Sequence, residues 1–200
     1  MHHIKPFRFP ILIFIGFIFV AHVVALSLVP EHYHWYTNTI SDLAAQGYDF
    51  RWIMRSGLSI FGLMTMYMAG YEMSQKNGVS ASLFFIFFYG LFIAITGYFR
   101  IKPFIPGLPY NVIEDYLHSL FATLTGIAIS GGIILDMFPF TKQRKKKILQ
   151  SITFGTAIVI CSIMFGIADS QGSLYTGLIQ RFLWIIGLTW LFNFSSKTSA

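Results

Sequence analysis

Charged side chains are scarce in this chain of 200 residues. They make up 11% of it, whereas 55% of the residues are hydrophobic and the mean hydropathy is +0.64. Soluble domains carry about 25% charged residues. The composition therefore excludes an ordinary soluble domain and predicts a membrane protein.

Cysteine is nearly absent as well. The single Cys161 lies inside an apolar run, which excludes an internal disulfide, a CxxC redox motif and a cysteine-based metal cluster. The net charge of +6 does not indicate a nucleic-acid partner, because much of it comes from one loop at 142–147 between two apolar segments. We expect this basic loop to contact anionic lipid headgroups.

Six apolar segments are long enough to cross a bilayer. They cover about 9–28, 53–73, 81–99, 113–137, 148–167 and 178–194. A helix of about 20 residues spans a hydrocarbon core of about 30 Å, and backbone groups cannot stay unpaired in lipid. The sequence therefore predicts an all-α six-helix bundle that forms one transmembrane domain over residues 1–200.

The basic residues predict the orientation of the bundle. An amino terminus on the inner side places Lys5, Arg8, Lys76, Lys197 and the basic loop 142–147 in the cytoplasm. The outer side then carries only a few dispersed basic residues, as the positive-inside rule requires. We expect both termini to be cytoplasmic and the longest connection, 29–52, to lie outside.

The two longer outer loops have different local signals. Thr39 and Asp42 fit a capping box, which predicts a short helix at about 40–46 that ends at Gly47. The loop 100–111 contains three prolines and should be extended.

Three strings carry a family resemblance. They are NTISDLAAQG in the outer loop, TGYF followed after the next loop by DYLHSLFA, and GLIQRFLWIIGLTWL near the end. Over roughly residues 10–191 the chain resembles domain-of-unknown-function family 998, a family of small bacterial integral membrane proteins. The resemblance implies a helical membrane fold in a bacterial inner or plasma membrane, and no established reaction.

The chain departs from the family pattern at two positions. Ala44 stands where a glycine usually follows SDL, and Arg100 lies near a position where the family often has an acid. The resemblance therefore implies no carboxylate role at position 100.

Ionisable side chains within the apolar segments gather near their predicted outer ends. These residues are His22, Arg55, Arg100, Asp115, His118, Asp169 and Arg181. A charge in or beside hydrocarbon is costly unless it is paired, hydrated or used. The clustering predicts a polar pocket that faces outward.

Asp115 and His118 are three residues apart and share a helix face. A carboxylate that accepts an imidazole N–H raises its basicity, which suits a general base or a metal ligand. Ser41 in the outer loop is a candidate nucleophile for a hydrolase in which His118 takes its proton. The alternatives are a structural pair at the helix end, and a capping role for the loop motif that contains Ser41.

His22 is predicted about 9 Å below the outer end of the first span. With His118 and Asp115 it could hold zinc with an open position. The two histidines alone could ligate a haem iron. The alternative is a hydrogen bond from His22 to a neighbouring helix.

The outer arginines allow two arrangements. Arg55, Arg100 and Arg181 face three predicted partners, Asp42, Asp115 and Asp169. Full pairing would make a structural charge lattice, whereas a partly free guanidinium would bind phosphate, and we expect Asn38 to contribute to such a site.

The leading interpretation is an integral membrane protein whose outward pocket binds a lipid or other amphiphile; hydrolysis or modification of that ligand is a further step that the same residues allow. The alternatives are a non-enzymatic membrane accessory or transport protein with a structural charge lattice, and a b-type haem electron carrier.

Overall fold

A computed structural model describes residues 8–75, 81–137 and 145–197. These residues form six long helices and no strand. The helices are α1 (Arg8–Ser27), α2 (Arg51–Gln75), α3 (Ala81–Tyr98), α4 (Val112–Met137), α5 (Lys145–Ser170) and α6 (Thr176–Lys197). Each coincides with one predicted segment to within a few residues, so the all-α prediction is confirmed for this part of the chain.

Five of these helices are long and apolar enough to cross a membrane. The qualifying stretches are Pro10–Ser27, Ala81–Tyr98, Val112–Asp136, Leu149–Ser170 and Thr176–Ser195. The chain is therefore a helical membrane protein with several apolar helices. Helix α2 is the exception among the six predicted spans.

Helix α2 is less apolar because small and polar residues line its contact with α3. A Cβ at Gly62 would lie 2.6 Å from the carbonyl oxygen of Gly90, and a Cβ at Gly90 would lie 2.7 Å from that of Gly62. Neither position accepts a side chain without moving backbone. Nearby, Ser59 Oγ donates to the carbonyl of Ala94 at 3.1 Å. Part of the lower hydropathy of α2 thus comes from small and polar residues that pack against α3.

The helices pack mainly on their neighbours in sequence, and α1 also contacts α6. Phe61 on α2 lies in the core, where its ring centroid is 6.2 Å from that of Tyr89 on α3 and 6.2 Å from that of Trp184 on α6. These contacts join α2, α3 and α6 across the centre of the bundle.

Three connections meet at one end of the bundle, which we call the loop end: residues 28–50, 99–111 and 171–175. Thr37 Oγ1 donates to the carbonyl of Leu174 at 3.1 Å. Gln46 joins the connection 28–50 to the connection 99–111. Its backbone N–H donates to Ile101 O at 2.9 Å, and its side-chain amide donates to Asn111 O at 3.0 Å. The loop end is thus one hydrogen-bonded layer.

The predicted helix at 40–46 is wrong in type and length. A 3-10 helix of four residues, Ser41–Ala44, stands there instead. The predicted capping box is confirmed: Thr39 N–H donates to Asp42 Oδ2 at 2.7 Å, and Asp42 N–H donates to Thr39 Oγ1 at 3.2 Å. Gln46 ends the helix early because its backbone N–H bonds to Ile101 in the other loop.

The remaining loop predictions fall only partly within the described residues. The connection 99–111 contains no helix, as its prolines predict. The first part of the basic loop, 142–144, lies outside the described residues, and Lys145–Lys147 open α5.

Candidate functional site

The predicted site residues fall into two groups at the loop end. The α1–α6 group contains His22, Asn38, Asp42, Asp169 and Arg181. The α2–α4 group contains Arg55, Arg100, Asp115 and His118. Among the described residues, the hydrogen bonds of one group share no residue with those of the other.

Arg181 ties the long loop 28–50 to α6. Its Nη1 donates to the carbonyl of Asn38 at 2.8 Å and to that of Gly177 at 2.9 Å. Its Nη2 donates to the hydroxyl of Tyr33 at 2.7 Å. The partners of this guanidinium are uncharged oxygens, so it does not form the predicted ion pair with a carboxylate.

The backbone of the same loop caps α6. Gly177 N–H donates to Thr37 O at 3.1 Å, and Leu178 N–H donates to Tyr36 O at 2.9 Å. A helix leaves its first four N–H groups without partners inside the helix. Here carbonyls that are distant in sequence accept from two of them, which holds the loop against α6.

Asp42 lies inside this arrangement as a cap. Its Oδ2 accepts from Thr39 N–H and, at 3.4 Å, from Asn38 Nδ2. Burial raises the pKa of Asp42 above its usual value, and the hydrogen bonds to Thr39 and Asn38 lower it by less. Burial likewise raises the pKa of Tyr33 to about 12, while Arg181 opposes the shift. Both side chains are held by the loop.

His22 and Asp169 lie beside this cluster without joining its hydrogen bonds. His22 Nδ1 is buried and has no partner, although Arg181 is close enough to interact with it electrostatically. Asp169 at the end of α5 is exposed and close enough to Asp42 to act on it as a like charge. The predicted hydrogen bond from His22 to a neighbouring helix is absent among the described residues.

Two contributors to the α1–α6 group were not predicted as site residues. Tyr33 was assigned no site role, and Gln180 Oε1 accepts from Ile40 N–H at 2.6 Å. Gln180 precedes Arg181 in the GLIQRFLW string, so the family resemblance of this string could have indicated a role for Gln180. Tyr33 carried no signal of its own within an aromatic stretch.

His118 is buried on α4, with 1% of its surface exposed. Its Nδ1 lies 3.0 Å from the carbonyl oxygen of Phe99. A carbonyl only accepts, so Nδ1 carries the proton in the neutral ring and Nε2 keeps its lone pair. Nε2 is buried without a partner. The predicted acceptor Asp115 is instead used by Lys102, whose backbone N–H donates to Asp115 Oδ1 at 2.8 Å.

Arg100 pairs with Glu114, not with the predicted Asp115. Its Nε donates to Glu114 Oε2 at 2.5 Å and its Nη2 donates to Glu114 Oε1. Both carboxylates lie in the first turn of α4. The backbone contact of Asp115 with the preceding loop leaves Glu114 to meet the guanidinium. At the loop end this is the single arginine–carboxylate pair among the described residues.

Arg55 is held by the carboxyl end of α3. Its Nε donates to Gly97 O at 3.3 Å and its Nη2 to Tyr98 O at 2.5 Å. The last carbonyls of a helix lack partners inside it and favour a cation. Arg55, Arg100 and Glu114 then line a pocket of about 410 Å³ together with Tyr98 and Phe99.

No group of three His, Cys, Asp or Glu side chains in the described part of the chain could hold a metal ion. His22, His118 and Asp115 are all described, so they do not make the predicted zinc site. Nor is Ser41 hydrogen-bonded to His118, whose ring bonds to Phe99.

Comparison with known proteins gives one match. A family described as "Protein of unknown function (DUF998)" matches residues 13–197. No curated protein and no solved structure matches the chain.

Proposed function

Because the chain belongs to the DUF998 family, whose description names no reaction, we propose a function from its own residues. The protein is a multi-pass protein of a bacterial plasma membrane. Its pocket between Arg55 and Arg100 binds the phosphate-bearing headgroup of a lipid or other amphiphile.

In this proposal all six helices cross the membrane and the loop end faces outward. Helix α2 has 25 residues, which at about 1.5 Å each is enough to span the hydrocarbon core. Gly62 and Ser59 of this helix face α3, and Gly57 faces α1, rather than lipid. Basic residues then concentrate at the opposite end, where both termini are cytoplasmic and the basic loop 142–147 contacts anionic lipid.

Two guanidinium groups that each keep a nitrogen unpaired among the described residues carry the proposal. Arg55 bonds through Nε and Nη2 to α3, and Arg100 bonds through Nε and Nη2 to Glu114. Nη1 of each arginine has no hydrogen-bond partner among the described residues, and both side chains line the same pocket. The side chains are thus oriented by their partners and each keeps donors for an anion, the arrangement that suits bidentate phosphate binding.

The surroundings of the pocket favour an amphiphile over a free anion. Tyr98, which lines the pocket, is largely exposed, and so are Ile113 and Tyr116 near the start of α4, the helix that carries Glu114. Exposed apolar side chains at the end of a membrane helix contact lipid, and tyrosine favours the interface between hydrocarbon and water. A headgroup in the pocket would therefore place its acyl chains along an apolar surface.

Lipid retention tests the site. The full chain is purified in a neutral detergent, reconstituted with a labelled anionic phospholipid, and the lipid that stays bound is measured by native mass spectrometry. A hydrogen bond to a charged group contributes about 1.5–3 kcal/mol. We therefore expect Arg55→Gln and Arg100→Gln each to weaken retention at least about tenfold.

Arg51→Gln is the matched control, because Arg51 lies one turn before Arg55 on α2 and does not line the pocket. It should leave retention unchanged. Equal losses in all three variants would indicate unspecific attraction. Lower thermal stability with unchanged retention in the pocket variants would instead support the structural charge lattice of an accessory protein.

Cysteine labelling tests the topology. Cys161 is replaced by alanine, and single cysteines are placed at Gln171, which is exposed at the loop end, and at Gln143. In intact cells an impermeant thiol reagent should label position 171 and not position 143. Labelling at 143 alone would reverse the orientation and exclude an outward pocket.

Hydrolysis or modification of the amphiphile stays a prediction. His118 Nε2 keeps a lone pair that could accept a proton, but its burial separates it from solvent. The catalytic roles of Asp115 and Ser41 stay predictions in the same sense, and a haem between His22 and His118 is not part of the proposal.

A further inference from the structure

A second pocket lies between the loops 28–50 and 99–111 and has a volume of about 290 Å³. Its lining differs in chemistry from that of the pocket at Arg55 and Arg100, which we call the arginine pocket. Its lining includes one carboxylate, Asp49, and three aromatic rings, Tyr48, Phe50 and Phe104. No lysine or arginine lines it.

Three aromatic rings form one side of this pocket. The centroid of Tyr48 is 6.2 Å from that of Phe50 and 6.5 Å from that of Phe104, with the planes at 70° and 66°. Rings at these angles and separations allow one group to lie within about 6 Å of two centroids, the range of a cation–π contact.

The rings are fixed in place before any ligand binds. Tyr48 is buried, and its hydroxyl donates to Leu28 O at 2.9 Å. Phe104 packs edge-on against Tyr33, with centroids 5.7 Å apart. The side chain of Gln46 links the two loops: its Nε2 donates to Arg100 O and Asn111 O, and its Oε1 accepts from Asn111 N–H. A preorganised pocket loses little entropy on binding.

Asp49 gives the pocket its charge. Its carboxylate is exposed and makes no hydrogen bond or ion pair with any described residue. The nearest basic residue in sequence, Arg51, donates through Nη1 to the backbone carbonyl of Tyr48 at 2.6 Å. A carboxylate without a partner among the described residues therefore lines the same pocket as the aromatic rings, at the loop end of the bundle.

We propose that this pocket binds an organic ammonium group, with its charge against Asp49 and its carbon substituents against Tyr48, Phe50 and Phe104. Aromatic faces attract a cation and also bury its methyl or methylene groups. An anion would meet the carboxylate, and an uncharged group would leave the carboxylate unpaired. This site is separate from the arginine pocket and does not depend on the function proposed for it.

Titration of the purified full chain with choline tests the proposal. The protein is held in a maltoside detergent, which contains no ammonium group, and binding is measured by isothermal titration calorimetry. 3,3-Dimethylbutan-1-ol, which has the shape of choline without its charge, is titrated in parallel. We expect choline to bind at least about tenfold more tightly than this isostere.

Two variants assign the binding to the pocket. Asp49→Asn should weaken choline binding about tenfold, and Phe104→Leu about fivefold, because each removes one attractive contact. Asp49→Glu keeps the charge and should retain most of the affinity.

Two control variants should leave choline binding unchanged. Glu31→Gln removes an exposed carboxylate that does not line the pocket. Arg100→Gln should also leave choline binding unchanged, which separates this site from the arginine pocket.

Nanodiscs distinguish the two sources of such a group. If the ligand is a lipid headgroup, nanodiscs of phosphatidylcholine should abolish the choline signal and nanodiscs of phosphatidylglycerol should not. If it is a free ammonium compound, choline should bind in both. Equal binding of choline and its isostere, no binding of choline in any of these media, or full affinity in Asp49→Asn would overturn the proposal.

Discussion

Arg181 and Arg55 are the same residue type near the loop end, yet their surroundings differ. Arg181 bonds to Asn38 and Tyr33, partners that are 143 and 148 residues away in sequence. Arg55 bonds to the last carbonyls of the neighbouring helix α3 and lines a pocket. One arginine thus closes the loop over α6, and the other keeps donors toward an open space.

This comparison teaches that an arginine at a membrane boundary is not by itself a binding residue. Either fixed protein oxygens or water and ligands offset the free-energy cost of placing its charge beside hydrocarbon. The partners of each nitrogen decide between these cases, and four substitutions in the two groups test the difference.

The largest expected effect is on Arg181. Arg181→Met removes the donors to Asn38, Gly177 and Tyr33. We expect a loss of about 3 kcal/mol, because hydrogen bonds from a charged group contribute about 1.5–3 kcal/mol and their acceptors lose partners. Thermal unfolding in detergent measures it. Lys102→Met, which removes an exposed charge at the loop end, is the control and should change little. Weaker lipid retention in Arg181→Met without loss of stability would contradict the assignment.

Glu114→Gln, in the α2–α4 group, should increase lipid retention. The change removes the carboxylate that binds Nε and Nη2 of Arg100. The freed guanidinium then gains donors for an anion, so retention of an anionic phospholipid should rise about tenfold. Stability should fall by less than about 1 kcal/mol, because the pair is partly exposed. Reduced retention would contradict this expectation and would mean that the orientation of Arg100 by Glu114 matters more than the added donors.

Thr39→Ala tests the helix cap in the long loop 28–50. It removes the hydroxyl that accepts from Asp42 N–H but keeps the backbone donor to the carboxylate. We expect a loss of about 1 kcal/mol, the usual cost of a missing helix cap. Ser41→Ala changes the hydroxyl two residues further on, which forms no hydrogen bond with any described residue, and serves as the control. Equal losses from both would mean that the cap does not matter.

Asp42→Asn should have the smallest effect, and one that depends on pH. The folded-state pKa of Asp42 is raised by burial, so the folded chain binds this proton more tightly than the unfolded chain does. The contribution of Asp42 to stability therefore falls as pH rises from its unfolded pKa to its folded pKa, and is constant above. Asparagine does not titrate, so the stability of Asp42→Asn relative to the natural chain should increase across that window. Thermal unfolding between pH 3 and pH 7 measures this, in steps of about one unit. A relative decrease would contradict the raised pKa.

Much of the fold could be predicted because its signals are local. Runs of apolar residues placed all six helices, and the capping box at Thr39 and Asp42 is present as predicted. The type of the helix after the box could not be predicted. It depends on Gln46, whose partners Ile101 and Asn111 lie in another loop.

The partners within the site were harder to predict. The sequence places Glu114 and Asp115 side by side, and their spacing to His118 allows either to meet the imidazole. In the structure Phe99 O takes that place, while Glu114 meets Arg100 and Asp115 meets Lys102. Helical spacing gives the direction of a side chain on its own helix, but not which neighbouring backbone approaches it.

The sequence by itself determined the class of this protein, the extent of its helices and the end at which its ionisable residues gather. These properties follow from composition and from the length of apolar runs, each of which is set within one segment. Only the tertiary structure decided that Arg181 closes the long loop while Arg55 and Arg100 keep free donors. Hydrogen-bond partners more than a hundred residues apart meet only when the helices pack, so no local pattern specifies them.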